Sequence, residues 1–131
     1  MVKVVSLDIE VGSEKGFPEP TLANQPIICI TIGSRGHYYT FGCGDFEVKQ
    51  KNSTYYKYGN EKSMLSSFLS WWQKLDPDVV TGWNSEGFDI PYMVNRIARV
   101  LGKEHTRRFC LWGKYPNRRE FERYGKAQET Y

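Results

Sequence analysis

The chain has 131 residues, and its 40% hydrophobic and 25% charged residues are ordinary proportions for one soluble globular domain. No apolar stretch approaches the ~20 residues of a membrane-spanning helix, and the N-terminus lacks a signal-peptide pattern, so we expect a cytoplasmic protein without a membrane partner. The three cysteines have no Cys-x-x-Cys spacing, which argues against a zinc site and a disulfide framework.

The net charge of +3 is unevenly distributed along the chain. Residues 1–95 carry 8 Lys and Arg against 11 Asp and Glu, whereas residues 96–131 carry 10 against 4. An acidic body with a basic end suits a polyanion held beside a metal-loaded carboxylate site. A solvated basic tail has the same composition, so charge alone leaves both interpretations open.

The first predicted element is a strand over Val4–Val11, an apolar run interrupted by Asp8 and Glu10. Its composition predicts a strand buried on both faces, and the period of two places both carboxylates on one side, ~7 Å apart along the backbone. Such a pair needs a bridging cation or a strand end that opens to water. Mg²⁺ and Mn²⁺ prefer oxygen ligands, but Asp-x-Glu also occurs on solvated edge strands.

A β-hairpin follows the first strand. Residues 12–20 contain several Gly and Pro and predict a loop. Residues 27–32 and 37–41 are rich in β-branched and aromatic side chains, and the turn residues 33–36 join them. Together with the first strand, they predict a three-stranded antiparallel meander with the acidic strand at or near its centre.

The second half of the chain is predicted to alternate between helix and strand. Residues 42–60 indicate a loop and a short strand, after which Asn60 caps a helix that runs to about Leu75. A short buried strand over 79–83 follows. The next helix begins near Pro91 and ends at Gly102, and beyond it the hydrophobic periodicity fades.

A third carboxylate, Asp89, lies between the end of the strand over 79–83 and the start of the following helix. Backbone N–H groups and the helix dipole favour an anion there, so a helix-capping role is one interpretation. The alternative is functional, because ligands of open α/β sheets bind at such strand ends. A third carboxylate is also what Asp8 and Glu10 need to hold two metal ions.

These two stretches resemble known motifs. Ser6-Leu7-Asp8-Ile9-Glu10 resembles the first exonuclease motif of family B DNA polymerases, and the Gly-Trp-Asn-x-x-x-Phe-Asp-Ile-Pro-Tyr run over 82–92 resembles the second. Further similarity covers residues 16–20, with the sequence Gly-Phe-Pro-Glu-Pro, and residues 60–65. Together they resemble the T-even-type bacteriophage branch of that family, in the correct order from about Val4 to Gly102.

The resemblance implies an α/β, RNase H-like fold of the DnaQ type, with a mixed sheet that contains the meander and helices around it. It also implies 3′–5′ proofreading exonuclease chemistry with two Mg²⁺ or Mn²⁺ ions. Asp8 and Asp89 would be metal ligands. Glu10 would bind one metal and help to orient the attacking water.

The resemblance also implies residues that bind DNA. Phe17 would stack on a base of the single-stranded 3′ end, and Asn84 and Phe88 would shape the path of the strand. Phe17 as a loop residue folded onto the core, and Asn84 as a turn residue bonded to the backbone, are alternative interpretations.

One departure from the family pattern concerns the third motif, Tyr-x-x-x-Asp, because no Asp follows Asp89. We therefore interpret residues 1–131 as a single partial exonuclease domain, with its core over 1–102, a basic extension over 103–131 and an incomplete C-terminus. Such a fragment should be weak or inactive alone, because each missing carboxylate weakens the metal site. Its partners would be a single-stranded DNA 3′ end and the remainder of the polymerase chain, and exposed core surface predicts self-association.

Two other functions stay open at this point. The chain could be a non-catalytic module that binds single-stranded nucleic acid and is complemented by a second chain. It could also be a stand-alone DEDD-type nuclease acting on RNA or DNA, although the absence of a further Asp argues against that function.

Overall fold

A computed structural model describes residues 2–12, 19–45, 51–82 and 88–109. Five strands form one mixed sheet in the order β4-β3-β2-β1-β5, and three α-helices accompany it. The strands are β1 Val4–Val11, β2 Ile27–Ser34, β3 His37–Gly42, β4 Ser53–Lys57 and β5 Val79–Thr81. The helices are α1 Glu61–Leu75, α2 Ile90–Val100 and α3 Thr106–Phe109, and a 3₁₀ turn over Lys103–His105 precedes α3. The architecture is the expected mixed α/β sheet of an RNase H-like exonuclease domain.

The predicted meander is confirmed. β1 pairs antiparallel with β2, and β2 pairs antiparallel with β3 through a tight turn at Arg35 and Gly36, whose φ angles are 51° and 80°. β5 pairs parallel with the other side of β1, so the acidic strand is internal, as predicted. The short strand expected within residues 42–60 is β4, which lies parallel to β3 at the edge of the sheet.

The prediction that β1 is buried on both faces is wrong for the described part of the chain. Val5, Leu7 and Ile9 belong to one hydrophobic cluster with the buried sides of the helices, whereas Asp8 and Glu10 are exposed. The cluster draws on α1, α2 and α3, and all of these helices bury their apolar side chains against the Leu7 face of the sheet. The acidic face is therefore open to water, which removes most of the desolvation cost of two neighbouring anions.

A β-bulge interrupts the pairing of β1 with β2 directly after Glu10. Glu10 pairs with Cys29, but the next residue, Val11, pairs with Ile27. Ile28 is the extra residue and is 49% exposed, while Ile27 is 2% exposed. Regular alternation from Ile30 places Cys29 on the acidic face, and the bulge then returns Ile27 to the core.

Helix α1 forms as the sequence predicts. The Asn60 side chain accepts a hydrogen bond from the Ser63 backbone N–H at 2.8 Å, and the helix ends at Asp76 in a left-handed conformation. Its buried side chains follow helical spacing and are Met64, Leu65, Phe68, Leu69 and Trp72. Trp72 stacks on Phe109 of α3 with ring centroids 5.3 Å apart, so residues beyond Gly102 also contribute to the core. None of the described helices is long and apolar enough to cross a lipid bilayer.

Replacing Asn60 with alanine is expected to lower the free energy of unfolding by about 1 kcal/mol, because the Ser63 N–H loses its acceptor at the start of α1. Urea denaturation of the two proteins measures the difference. Asn60→Asp keeps the acceptor and should stay close to the wild type. Equal decreases in the free energy of unfolding of Asn60→Ala and Asn60→Asp would contradict the capping role.

Helix α2 holds the chain that leads from β1 to β2. Pro91 lies in its first turn, as predicted. Side chains of α2 then donate hydrogen bonds to successive backbone carbonyls of this segment: Asn95 to Pro20, Arg99 to Leu22, Arg96 to Ala23 and Tyr92 to Gln25, at 2.6–3.1 Å. The helix that begins next to Asp89 is thereby fixed relative to the strand that carries Asp8 and Glu10.

Candidate active site

The first two predicted site residues lie side by side on the acidic face of β1. Asp8 pairs across the sheet with Thr31, and Glu10 pairs with Cys29. Both carboxylates are exposed, and the residue between them, Ile9, points into the core. The period of two therefore places Asp8 and Glu10 on one side, as predicted.

Asp89 reaches the same strand from the start of α2. It is 4% exposed, its backbone is already helical with φ −62° and ψ −49°, and its side chain makes no capping hydrogen bond. The helix-capping interpretation is therefore wrong. The Asp89 carboxyl instead accepts a hydrogen bond from the backbone N–H of Ile9 and, when protonated, donates one to the Asp8 carboxylate.

The position of Asp89 is unfavourable for a charged carboxylate. Burial, and after it the negative charge of Asp8, raises the pKa of Asp89 to about 7. The Asp89 Oδ2 atom is buried and has no hydrogen-bond partner among the described residues. A divalent cation would satisfy this oxygen and neutralise the repulsion between the two carboxylates. The donor set of Asp8 and Asp89 therefore fits Mg²⁺ or Mn²⁺.

Glu10 stands slightly apart from this pair. Within residues 2–12, 19–45, 51–82 and 88–109, no three acidic, histidine or cysteine side chains come close enough together to hold one metal ion. The Glu10 Oε2 atom lies 3.6 Å from the Cys29 Sγ atom, which donates a hydrogen bond to it. Sequence reasoning missed Cys29, because the pairing of two residues 19 positions apart depends on the strand register.

Of the predicted DNA-binding residues, Phe17 and Asn84 lie outside the described residues. Phe88 is half-buried at the start of α2, and its ring stacks on Tyr92 with centroids 5.4 Å apart. Tyr92 in turn is fully buried and donates a hydrogen bond to the Gln25 carbonyl at 2.6 Å. Phe88 is thus held one residue before Asp89, and its role in shaping the DNA path stays a prediction.

A mixed sheet with an internal acidic strand, facing a buried Asp at a helix start, is the arrangement of an RNase H-like exonuclease domain. The chain belongs to the exonuclease-domain family of family B DNA polymerases, because the model of "DNA polymerase family B, exonuclease domain" matches residues 1–129.

Relatives of the chain are named as DNA polymerases. It is 35% identical to the DNA-directed DNA polymerase of Escherichia phage RB69 over 82% of its own length, and 31% identical to that of Enterobacteria phage T4 over 99%. It is 34% identical to the DNA polymerase delta catalytic subunit of Candida albicans over 77% of its length. These matches confirm the resemblance to the phage branch. The chain spans 15% of the RB69 protein and 17% of the T4 protein.

Proposed function

We propose that the chain provides the 3′–5′ proofreading exonuclease site of a longer DNA-directed DNA polymerase. The reaction would hydrolyse the 3′-terminal phosphodiester of single-stranded DNA and release a nucleoside monophosphate. The observation that carries this proposal is the buried Asp89 carboxyl, whose Oδ2 has no partner within the part of the chain that the structure describes and which faces Asp8. Natural proteins rarely leave a buried oxygen unsatisfied without a functional reason.

The proposed metal ligands are Asp8, Asp89 and Glu10, holding Mg²⁺ or Mn²⁺. When bound, two such ions would activate water and stabilise the charge that develops on the attacking and leaving oxygens. Asp89 would release its proton as the site is loaded, since its raised pKa keeps it partly protonated near neutral pH. Glu10, which is exposed at the open end of the acidic face, would accept a hydrogen bond from the attacking water.

The proposed partners follow from the open sheet face. A single-stranded 3′ end would approach over the exposed side of β1 and β2, with Phe17, Asn84 and Phe88 along its path. The remainder of the polymerase chain would supply the carboxylate of the third motif, and without it the chain would be weakly active and prone to self-association. The location would be the cytoplasm, which is that of the host cell if the protein is viral.

The test is Mn²⁺-dependent release of label from a 3′-labelled single-stranded oligonucleotide. We would compare a longer polymerase chain with its Asp8→Ala variant. The rate of label release by the variant should be at least about 100-fold lower, because Asp8 is proposed to bind metal and to face Asp89. Glu104→Gln removes an exposed carboxylate on the 3₁₀ turn and should leave the rate unchanged.

Other outcomes would contradict the proposal in distinguishable ways. Retained trimming by Asp8→Ala would reject the assigned site. Strong turnover by residues 1–131 alone, especially of RNA, would indicate a stand-alone nuclease. Salt-sensitive oligonucleotide binding without hydrolysis, even by the longer chain, would indicate a non-catalytic binding module.

A further inference from the structure

Cys29 is the side chain across the sheet from Glu10, and it contacts the carboxylate of that residue. Its Sγ atom donates a hydrogen bond to Glu10 Oε2 at 3.6 Å. The antiparallel register places the two residues directly opposite each other, and the regular alternation of Thr31, Ile30 and Cys29 puts the thiol on the acidic face. The contact is therefore built into the sheet.

The Cys29 side chain does not pack in the hydrophobic core. It is absent from the hydrophobic cluster and from the partly buried residues packed against it, whereas Cys43, which is also a free cysteine, packs against that cluster. The neighbours of Cys29 on the open face are polar, since Thr31 follows it on the same side of β2 and pairs with Asp8. A small side chain with a donor is thus placed beside the Glu10 carboxylate on a polar face.

The contact involves one of the two Glu10 carboxylate oxygens. The thiol engages Oε2, which leaves Oε1 available to a cation. Holding one oxygen restricts the rotamers of a long, exposed side chain, which lowers the entropy that the side chain loses when it binds a cation. Hydrogen bonds that orient a ligating carboxylate in this way raise metal affinity in other sites.

We propose that Cys29 is a positioning residue that holds the Glu10 carboxylate ready for a divalent cation. This inference rests on the proposed function, in which Glu10 is a metal ligand. Cys29 does not itself bind the metal or touch the substrate. Its contribution is to restrict the Glu10 side chain to rotamers that can bind the cation.

The test measures Mn²⁺ affinity of the chain by electron paramagnetic resonance of the free ion, so that it does not depend on exonuclease activity. Cys29→Ala should weaken Mn²⁺ binding about three- to tenfold, at the low end of such effects because a thiol is a weak donor. Cys29→Ser keeps a donor and should bind within about twofold of the wild type. Cys43→Ala is the matched control on the core side and should leave the affinity unchanged.

Glu10→Gln separates this inference from the proposed function. If Glu10→Gln weakens Mn²⁺ binding and Cys29→Ala has no further effect in the Glu10→Gln background, the thiol acts through Glu10 as proposed. If Glu10→Gln weakens binding but Cys29→Ala matches the wild type, the positioning role is wrong and the proposed function survives. If neither substitution changes the affinity, or if the wild type binds no Mn²⁺, both the ligand set and the positioning role are overturned.

Discussion

Asp89→Asn should make the metal-free protein more stable and the exonuclease inactive. The wild-type carboxylate is 4% exposed and faces Asp8, which together raise its pKa to about 7. A shift from 3.8 to about 7 corresponds to a loss of up to about 4 kcal/mol once the group is ionised. Asparagine is never ionised, and its amide donates to the Asp8 carboxylate. We therefore expect a gain of a few kcal/mol in the free energy of unfolding at pH 8.

The pH dependence identifies the cause of this gain. Because the folded-state pKa is raised, the native protein holds the Asp89 proton between about pH 4 and pH 7 while the unfolded chain has released it. The stability of the wild type should therefore fall as the pH rises through this window and level off above it. The advantage of Asp89→Asn should be absent below pH 4 and complete above pH 7, as measured by urea denaturation in EDTA. Glu104→Gln should show no gain in stability over the wild type as the pH rises.

Asp89→Asn should also remove most of the stabilisation of the folded protein by metal ions. Mn²⁺ should stabilise the wild type, since it binds the folded site and not the unfolded chain, and should stabilise Asp89→Asn far less. In a longer polymerase chain, 3′ trimming should fall by at least about 100-fold. A variant that is less stable than the wild type at pH 8, or that still trims, would show that Asp89 is a structural residue.

Arg96→Met should be strongly destabilising although it lies outside the site. The Arg96 guanidinium donates two hydrogen bonds to Glu61, from Nη2 to Oε1 at 2.6 Å and from Nε to Oε2 at 2.8 Å. The two side chains are only 12% and 16% exposed. Removing the cation leaves a largely buried carboxylate unpaired, although the Ile27 N–H still donates to it, and we expect a loss of about 3 kcal/mol.

The neighbouring Arg99 gives the control for Arg96. It donates one hydrogen bond, to the Leu22 carbonyl at 3.1 Å, from an exposed position, so Arg99→Met should cost less than about 1 kcal/mol. Arg96→Met combined with Glu61→Gln should cost less than the sum of the two single substitutions, because the unpaired charge is removed as well. Additive losses would indicate that the pair does not act as a unit.

Local features of the fold could be read from the sequence. The alternation that puts Asp8 and Glu10 on one side, the Asn60 cap and the Pro91 start of α2 each depend on residues close along the chain, and the structure confirms them. The proposed DNA substrate rests on the motif resemblance, since no spacing or charge pattern distinguishes DNA from RNA.

Features that depend on residues far apart in the chain could not be predicted. The Arg96–Glu61 pair joins residues 35 positions apart, and the Cys29–Glu10 contact joins residues 19 positions apart through the register of β1 with β2. The burial of Asp89 likewise arises only when α2 is fixed against β1. A carboxylate at a helix start suggests a cap, and only the tertiary contact with Ile9 and Asp8 shows otherwise.

The bulge after Glu10 lets the sheet absorb one extra residue without changing which side chains are buried. The Ile28 side chain is 49% exposed and pairs with no residue of β1. Without the bulge, regular pairing would place Ile28 opposite Val11 and turn Ile27, which is 2% exposed, toward the open face. A chain that lacks Ile28 should therefore keep Glu10 opposite Cys29 and Val11 opposite Ile27, so this edge of the acidic surface can tolerate the loss of one residue.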